Sequence, residues 1–272
     1  TQLAVFLGAF DPLSSNHFNT SIGLPALVLG GLMFGVGMCL AGGCISRITV
    51  LVSRGNLRAL WVLLILSLVA MAGISGILSP SIAYIQQINA ISIPTAAYWP
   101  LSIAILVCLA LAFPVSLLGK HYNHSDITYG VLIGSLVPAA WLVTSVISQD
   151  DFSLHSPQAL SYTQSASEFL RYVTVFDNSA PSFGVSLLLG TLAGSFASAF
   201  LGGRLFIDGF IKEGDPIRYT AGAILMGIGG VMSIGCSLGQ GLSGISVLAP
   251  NALIVLLSII LGAALTLRYT KY

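Results

Sequence analysis

The sequence predicts an all-α integral membrane protein, polytopic, with about 7–9 transmembrane helices, short re-entrant helices and an inverted internal repeat. Three observations carry that prediction. Hydrophobic residues make up 56% of the 272 positions and charged residues 7%, with a mean hydropathy of +0.94, whereas a soluble domain carries about 25% charged residues. Apolar runs of about 20 residues, the length a spanning helix needs, recur from end to end. Two glycine-rich runs, each closed by Gly-Cys, look like copies of one another.

Taken in order, residues 1–10 read as the tail of a helix that begins upstream, since no basic region followed by an apolar core and a cleavage site opens the chain. The candidate spans are 23–43, 57–78, 98–118, 127–148, 182–202, 219–235 and 250–268. Residues 45–55 and 237–249 are too short or too polar to span and too apolar for plain loops. Both read as re-entrant segments, which survive at membrane depth only inside protein or beside a water-filled cavity. Residues 149–181, with Asp150, Asp151, Glu168, Arg171 and Asp177, read as a long outer loop. The chain reads as one membrane domain, 1–272, with halves of roughly 1–118 and 127–272.

Basic residues set the orientation. Threading the seven spans alternately puts Arg54, Arg58, Lys120, Arg204, Lys212, Arg218, Arg268 and Lys271 on one side, the cytoplasm, where the C-terminus also falls. Arg171 alone lies opposite.

The repeat runs Gly30-Gly-Leu-Met-Phe-Gly-Val-Gly-Met-Cys-Leu-Ala-Gly-Gly-Cys44 and Gly222-Ala-Ile-Leu-Met-Gly-Ile-Gly-Gly-Val-Met-Ser-Ile-Gly-Cys236. Without gaps, Gly30, Gly35, Gly37, Gly43 and Cys44 fall on Gly222, Gly227, Gly229, Gly235 and Cys236. The threading makes the copies antiparallel, a plan that transporters use with broken helices meeting at the midplane. Glycines also pack helices closely in Gly-xxx-Gly pairs, a role that suits Gly31/Gly35, Gly130/Gly134 and Gly190/Gly194. Packing leaves the repeated cysteine unexplained.

If 46–53 and 238–247 are short helices, Cys44 and Cys236 stand at helix N-termini, where N–H groups and the helix dipole favour an anion. A polarisable sulfur beside such donors suits a small anion with a soft sulfur end. Gly43, Gly235, Ser46 and Ser237 would supply neighbouring hydrogen bonds. Arg47 either attracts an anion at the cytoplasmic mouth or snorkels to the interface. Gln240, between Gly239 and Gly241, either faces the path or satisfies re-entrant backbone.

Other chemistry finds little support. The net charge of +1 gives no reason to propose nucleic acid as a partner. Cys39, Cys44, Cys108 and Cys236 all lie in apolar segments, unlike a secreted disulfide framework, and Cys108 reads as a small buried hydrophobe. His17, His121, His124 and His155 fit no metal spacing. No Walker motif and no base beside a nucleophile in the spans appear, so neither an enzyme nor a cofactor is expected. A membrane thiol–disulfide protein using Cys39 and Cys44 is one alternative. A spacing of five turns roughly 500° of helix, which leaves the side chains about 140° apart. A purely structural subunit whose glycines only pack helices is another.

These motifs resemble the YeeE/YedE family of sulfur-transport membrane proteins. The likeness rests on the run ending in Cys44 with Arg54-Gly-Asn-Leu-Arg58 downstream, on Phe183-Gly-Val-Ser-Leu-Leu-Leu-Gly190, and on Leu225 to Gly244 around Cys236. It implies uptake of thiosulfate, or a related sulfur or selenium compound, across the bacterial inner membrane. The path would be hourglass-shaped and lined by Cys44 and Cys236, with S–H···S contacts and no lasting covalent bond. It further implies a cytoplasmic TusA-like sulfur carrier as partner, membrane lipid around the spans, and one more helix upstream. The chain departs from the family pattern twice. Residues 182–202 hold Ser186, Ser195 and Ser198 where a third path cysteine is expected, and Arg47 stands where glycine is common.

Overall fold

Among the described residues, helices form where the apolar runs predict them, and they break where the glycines cluster. The computed structural model describes residue 1 and residues 23–88, 124–148, 160–175, 181–206, 209 and 215–269. The predicted span 98–118, the 1–10 tail and Cys108 lie outside the described residues. Helix α1 is Leu24–Leu40, and its Pro25 falls in the first turn, where no helical N–H is required. A glycine corner leads into α2, Ile45–Ser53. Helix α3, Leu57–Ile74, starts at Asn56, whose side chain accepts from Ala59 N at 3.0 Å.

Helix α4, Ser79–Gln87, is a short plug. Its Gln86 Nε2 donates to the Val231 and Met232 carbonyls at 3.3 Å. Then come α5 (His124–Ser148), α6 (Tyr162–Val175), α7 (Phe183–Leu201) and α8 (Asp215–Met232). A short helical stretch follows, π-helical over Gly239–Gly244, and α9 is Pro250–Tyr269. Among the described residues, five stretches are long and apolar enough to cross a membrane: Leu24–Ser53, Leu57–Ile74, Thr128–Ser145, Phe183–Leu201 and Pro250–Tyr269. The chain is an all-α integral membrane protein. Helix α8, the predicted span 219–235, carries four glycines and is less apolar, because it is buried against α1 and α3.

The core is a glycine seam between α1 and α8. A Cβ on Gly30 would lie 2.9 Å from the Gly229 carbonyl oxygen, and one on Gly37 would lie 2.7 Å from that of Gly222. The pairing is reciprocal: Gly30 is the counterpart of Gly222 in the repeat, and Gly37 of Gly229. Reciprocal contact of this kind is what a two-fold axis produces. The numbering also runs in opposite senses across the seam, so α1 and α8 are antiparallel.

The flanking contacts obey the same symmetry. Gly31 seats against Val255 and Ser258, and the Cys39 thiol reaches Ala263 O at 3.6 Å, so α1 and α9 run parallel. On the other side, Trp61 Nε1 donates to Thr220 Oγ1 at 3.0 Å and Gly227 meets Leu66 and Val69, so α3 and α8 run parallel. Gly31 and Gly35 therefore pack as expected, whereas Gly130, Gly134, Gly190 and Gly194 meet no described atom within 4 Å.

Helix directions bring Arg54, Arg58, Arg204, Arg218 and Arg268 to one end of the bundle, and Phe206 closes on that end. Its N–H donates to Arg54 O at 3.1 Å, and the Arg54 guanidinium lies 5.3 Å from its ring centroid. Large apolar side chains such as Leu64, Leu68, Leu257 and Leu261 stay exposed on the outer faces.

One expectation needs correction. Residues 149–181 are not simply an outer loop, because 162–175 form α6, which packs against α3 and α7. It starts halfway along α7, where the Tyr162 and Thr191 hydroxyls meet at 3.1 Å. It then runs back past the start of α7. There Ser182, the N-cap of α7, donates to Glu168 Oε2 at 2.6 Å, and Gln164 Nε2 donates to Oε1 at 2.9 Å. Tyr162, Thr163, Ser165, Ala166 and Ser167 are buried.

The seam gives a stability prediction. Gly37→Ala or Gly229→Ala pushes backbone against backbone and should each destabilise the protein by about 1–3 kcal/mol, read as thermal unfolding in detergent. Gly190→Ala should be neutral or slightly stabilising, by about 0.5–1 kcal/mol. Equal melting shifts for all three would contradict the seam.

Candidate functional site

Each copy of the repeat ends in a corner that positions its cysteine, and the two corners match bond for bond. After α1, Gly42 takes φ +83° and Gly43 φ +156°; after α8, Ile234 takes φ +58° and Gly235 φ +157°. Such positive angles are open to glycine and costly for residues with a side chain. Ile234, β-branched, is therefore an outlier, at a cost of about 1–2 kcal/mol. Gly43 N donates to Met38 O at 3.0 Å and Gly235 N to Gly230 O at 2.8 Å, equivalent residues again. The cysteine carbonyls then receive the next helical N–H: Ile48 N to Cys44 O at 3.0 Å, and Gln240 N to Cys236 O at 2.9 Å. Cys44 is the N-cap of α2. Both thiols thus stand where a helix N-terminus presents free N–H groups.

Past the cysteines the copies fall out of step by one residue. Gly55 N to Val52 O and Asn56 N to Leu51 O are matched by Leu248 N to Ile245 O and Ala249 N to Gly244 O. That match requires one additional residue in the second copy. The π-helical turn Gly239–Gly244 absorbs it, since a widened turn takes up one residue without ending the helix.

The insertion leaves different side chains over the two corners. Arg47 is exposed, and its stem covers Gly43, with Cδ 2.9 Å from where a Cβ would sit. Gln240, 2% exposed, covers Gly235. Its Nε2 donates to Ser233 O at 2.7 Å, so the amide does satisfy broken backbone, while its Oε1 is buried with no hydrogen-bond partner among the described residues. The thiols differ too. The Cys44 Sγ is 3.1 Å from Ser46 Oγ, and either atom can donate. The Cys236 Sγ accepts from Gly239 N at 3.3 Å. Ser237 is half-buried directly after Cys236.

Cys236 is only 2% exposed, in one apolar cluster with Tyr162, Leu188 and Met226. The conformation is closed at this cysteine, and a solute reaches it only when the surroundings open. The residues leading into α6 cover the same place: Ser243 Oγ donates to Leu160 O at 3.1 Å, and Ser161 Oγ would lie 3.3 Å from a Cβ on Gly239. Helix α5 covers the π-turn, with Trp141 Nε1 donating to Ser246 Oγ at 3.1 Å. Tyr162 shares the cluster of Cys236, and the helix it opens, α6, also touches α2, which follows Cys44. Sequence reasoning missed Tyr162, because no apolar run marks α6; the helical spacing of Tyr162, Ala166, Phe169 and Val173 was the signal that could have found it. The described cysteines Cys39, Cys44 and Cys236 are free thiols. Among the described residues no group of three His, Cys, Asp or Glu side chains can hold a metal ion.

The profile of the sulphur transport family matches residues 2–265. A protein of Spirochaeta thermophila named thiosulfate transporter TsuA is 26% identical over 256 residues, covering 86% of this chain and 74% of that protein. A protein of the same name from Escherichia coli K12 is 27% identical over 262 residues, covering 86% and 71%. The match runs through both cysteine corners and the helices that frame them, and the chain belongs to the sulphur transport family.

Proposed function

We propose that this protein takes up thiosulfate, or a closely related sulfur anion, across the bacterial inner membrane, with Cys44 and Cys236 as successive soft contacts. The observation that carries the reading is the pair of matching corners, each holding a thiol at the start of a short helix inside the bundle. Helix N-termini draw the anionic end and a polarisable thiol suits the terminal sulfur. From Gly222, which faces the first corner, to Met232, which opens the second, α8 rises roughly 15 Å. One small anion does not span that distance, so the corners act as two stations. The names of the two relatives support thiosulfate as cargo.

Anion transfer between thiols proceeds by S–H···S and N–H···O contacts, with no covalent step. Gly43, Gly235, Ser46 and Ser237 complete the stations, Gln240 braces the second, and Arg47 draws the anion toward the arginine-rich end. That end, with the C-terminus, faces the cytoplasm by the positive-inside rule, and a TusA-like sulfur carrier receives the cargo there. Lipid covers the exposed apolar faces. The thiol–disulfide alternative gains nothing from the structure, because Cys39 bonds to Ala263 O on α9 while Cys44 bonds to Ser46 beyond the corner.

In a bacterial strain lacking its own thiosulfate uptake, the protein should restore growth on thiosulfate. Cys44→Ala or Cys236→Ala, at equal membrane abundance, should cut uptake by about tenfold or more, the size expected when a hydrogen-bonding contact to a charged group is lost. Normal uptake by both alanine variants would sink the thiol path, and no rescue by well-inserted wild type would point to another sulfur or selenium anion. Arg47→Gln should raise the transport KM about threefold at low salt, with the effect shrinking as salt rises. A salt-independent change would remove its electrostatic role.

A further inference from the structure

We propose that Tyr162 is the hydrogen-bond donor that receives the anion between the two thiols, and that Thr191 holds this donor in reserve while the path is empty. The inference rests on the two-station path and adds a residue to it. It starts from the position of single protons. Thr191 Oγ1 sits 2.7 Å from Leu187 O, a carbonyl that can only accept, so the threonine's one hydroxyl proton is committed there. In the 3.1 Å contact between Tyr162 and Thr191, the phenol must therefore be the donor.

That donor is parked on a neutral oxygen and released by rotating one O–H bond, with the ring left in place. A phenolic O–H given to an anion makes a charge-assisted bond, roughly twice as strong as a neutral one. The proton leaves Thr191 only when an anion is there to take it. The placement suits the role. Thr191 lies halfway along the 19-residue α7, so the pair stands near the middle of the membrane, where a bare anion is least stable. Tyr162 shares the apolar cluster of Cys236, and α6 also packs against α2, the helix that Cys44 opens. As the first residue of α6, it stands beside that helix's own N–H groups.

A purely structural clamp between α6 and α7 would depend on both partners alike, and the proposal predicts opposite effects instead. Initial rates of radiolabelled thiosulfate uptake would be measured in proteoliposomes for Tyr162→Phe, Thr191→Val, Thr191→Ser and the Tyr162→Phe/Thr191→Val pair. Melting temperatures in detergent would confirm that each variant folds. Tyr162→Phe should lower the maximal rate about tenfold, through loss of a bond to a charged group. Thr191→Val, which frees the phenol, should raise it about threefold, Thr191→Ser should match wild type, and the double variant should match Tyr162→Phe. Equal losses for Tyr162→Phe and Thr191→Val would make the contact a clamp and overturn the proposal. So would an unchanged rate for Tyr162→Phe while Cys236→Ala is inactive, and in that case the thiol path stands. Absence of thiosulfate uptake by wild type overturns the path and this role together.

Discussion

The structure depends on the antiparallel contact of α1 and α8 through glycine. Lipid offers helices no hydrophobic reason to associate, so close backbone approach has to supply the attraction. At Gly30, Gly37, Gly222 and Gly229 there is no room for a side chain, because the atoms that a Cβ would meet are mostly backbone of the facing helix. Since the contact is reciprocal, it fixes more than proximity. It sets the two copies in opposite directions and places the corner of each beside the other's first glycine. The parallel pairs α1 with α9 and α3 with α8 then follow as symmetry mates.

The symmetry stops where the chemistry begins. Backbone bonds repeat through both corners, yet one copy places an exposed arginine over its glycine and the other a buried glutamine. A single inserted residue, stored as a π-turn, lies beside that difference. In the proposed path, asymmetry of this kind would set where an anion dwells. It does not by itself set the direction of net movement, which the concentration gradient or a coupled ion decides. Cys236 is buried, so the proposed path requires a local opening around it before an anion can reach this thiol.

Much of this was legible in the sequence. Gly-Cys at the close of both runs marked the corners and the short helices after Cys44 and Cys236, and threading the spans by their basic residues made the copies antiparallel. Gly31 and Gly35 declared their packing role, while Gly130 and Gly190 showed the same spacing without a described partner. Gln240 left two roles open, and its bond to Ser233 O settled one of them. Helix α6 was hidden for a physical reason. At 14 residues it does not span, and its buried face is Thr163, Ser165, Ala166 and Ser167, small and polar enough to look like a loop. Such a face packs well against helices inside a bundle, where hydroxyls bond back to their own helix, as Ser165 does to Ser161 O at 2.8 Å. Tyr162 could not be placed in the cluster of Cys236 without that helix.

The central claim is that Cys44 and Cys236 line one anion path while Cys39 belongs to helix packing. It is tested most directly by measuring how fast a small maleimide alkylates each cysteine in membranes, with and without thiosulfate. Thiosulfate should slow alkylation of Cys44 and Cys236 in parallel, at the same half-maximal concentration, and leave Cys39 unchanged. Protection of neither path cysteine, or equal protection of all three, would contradict the account.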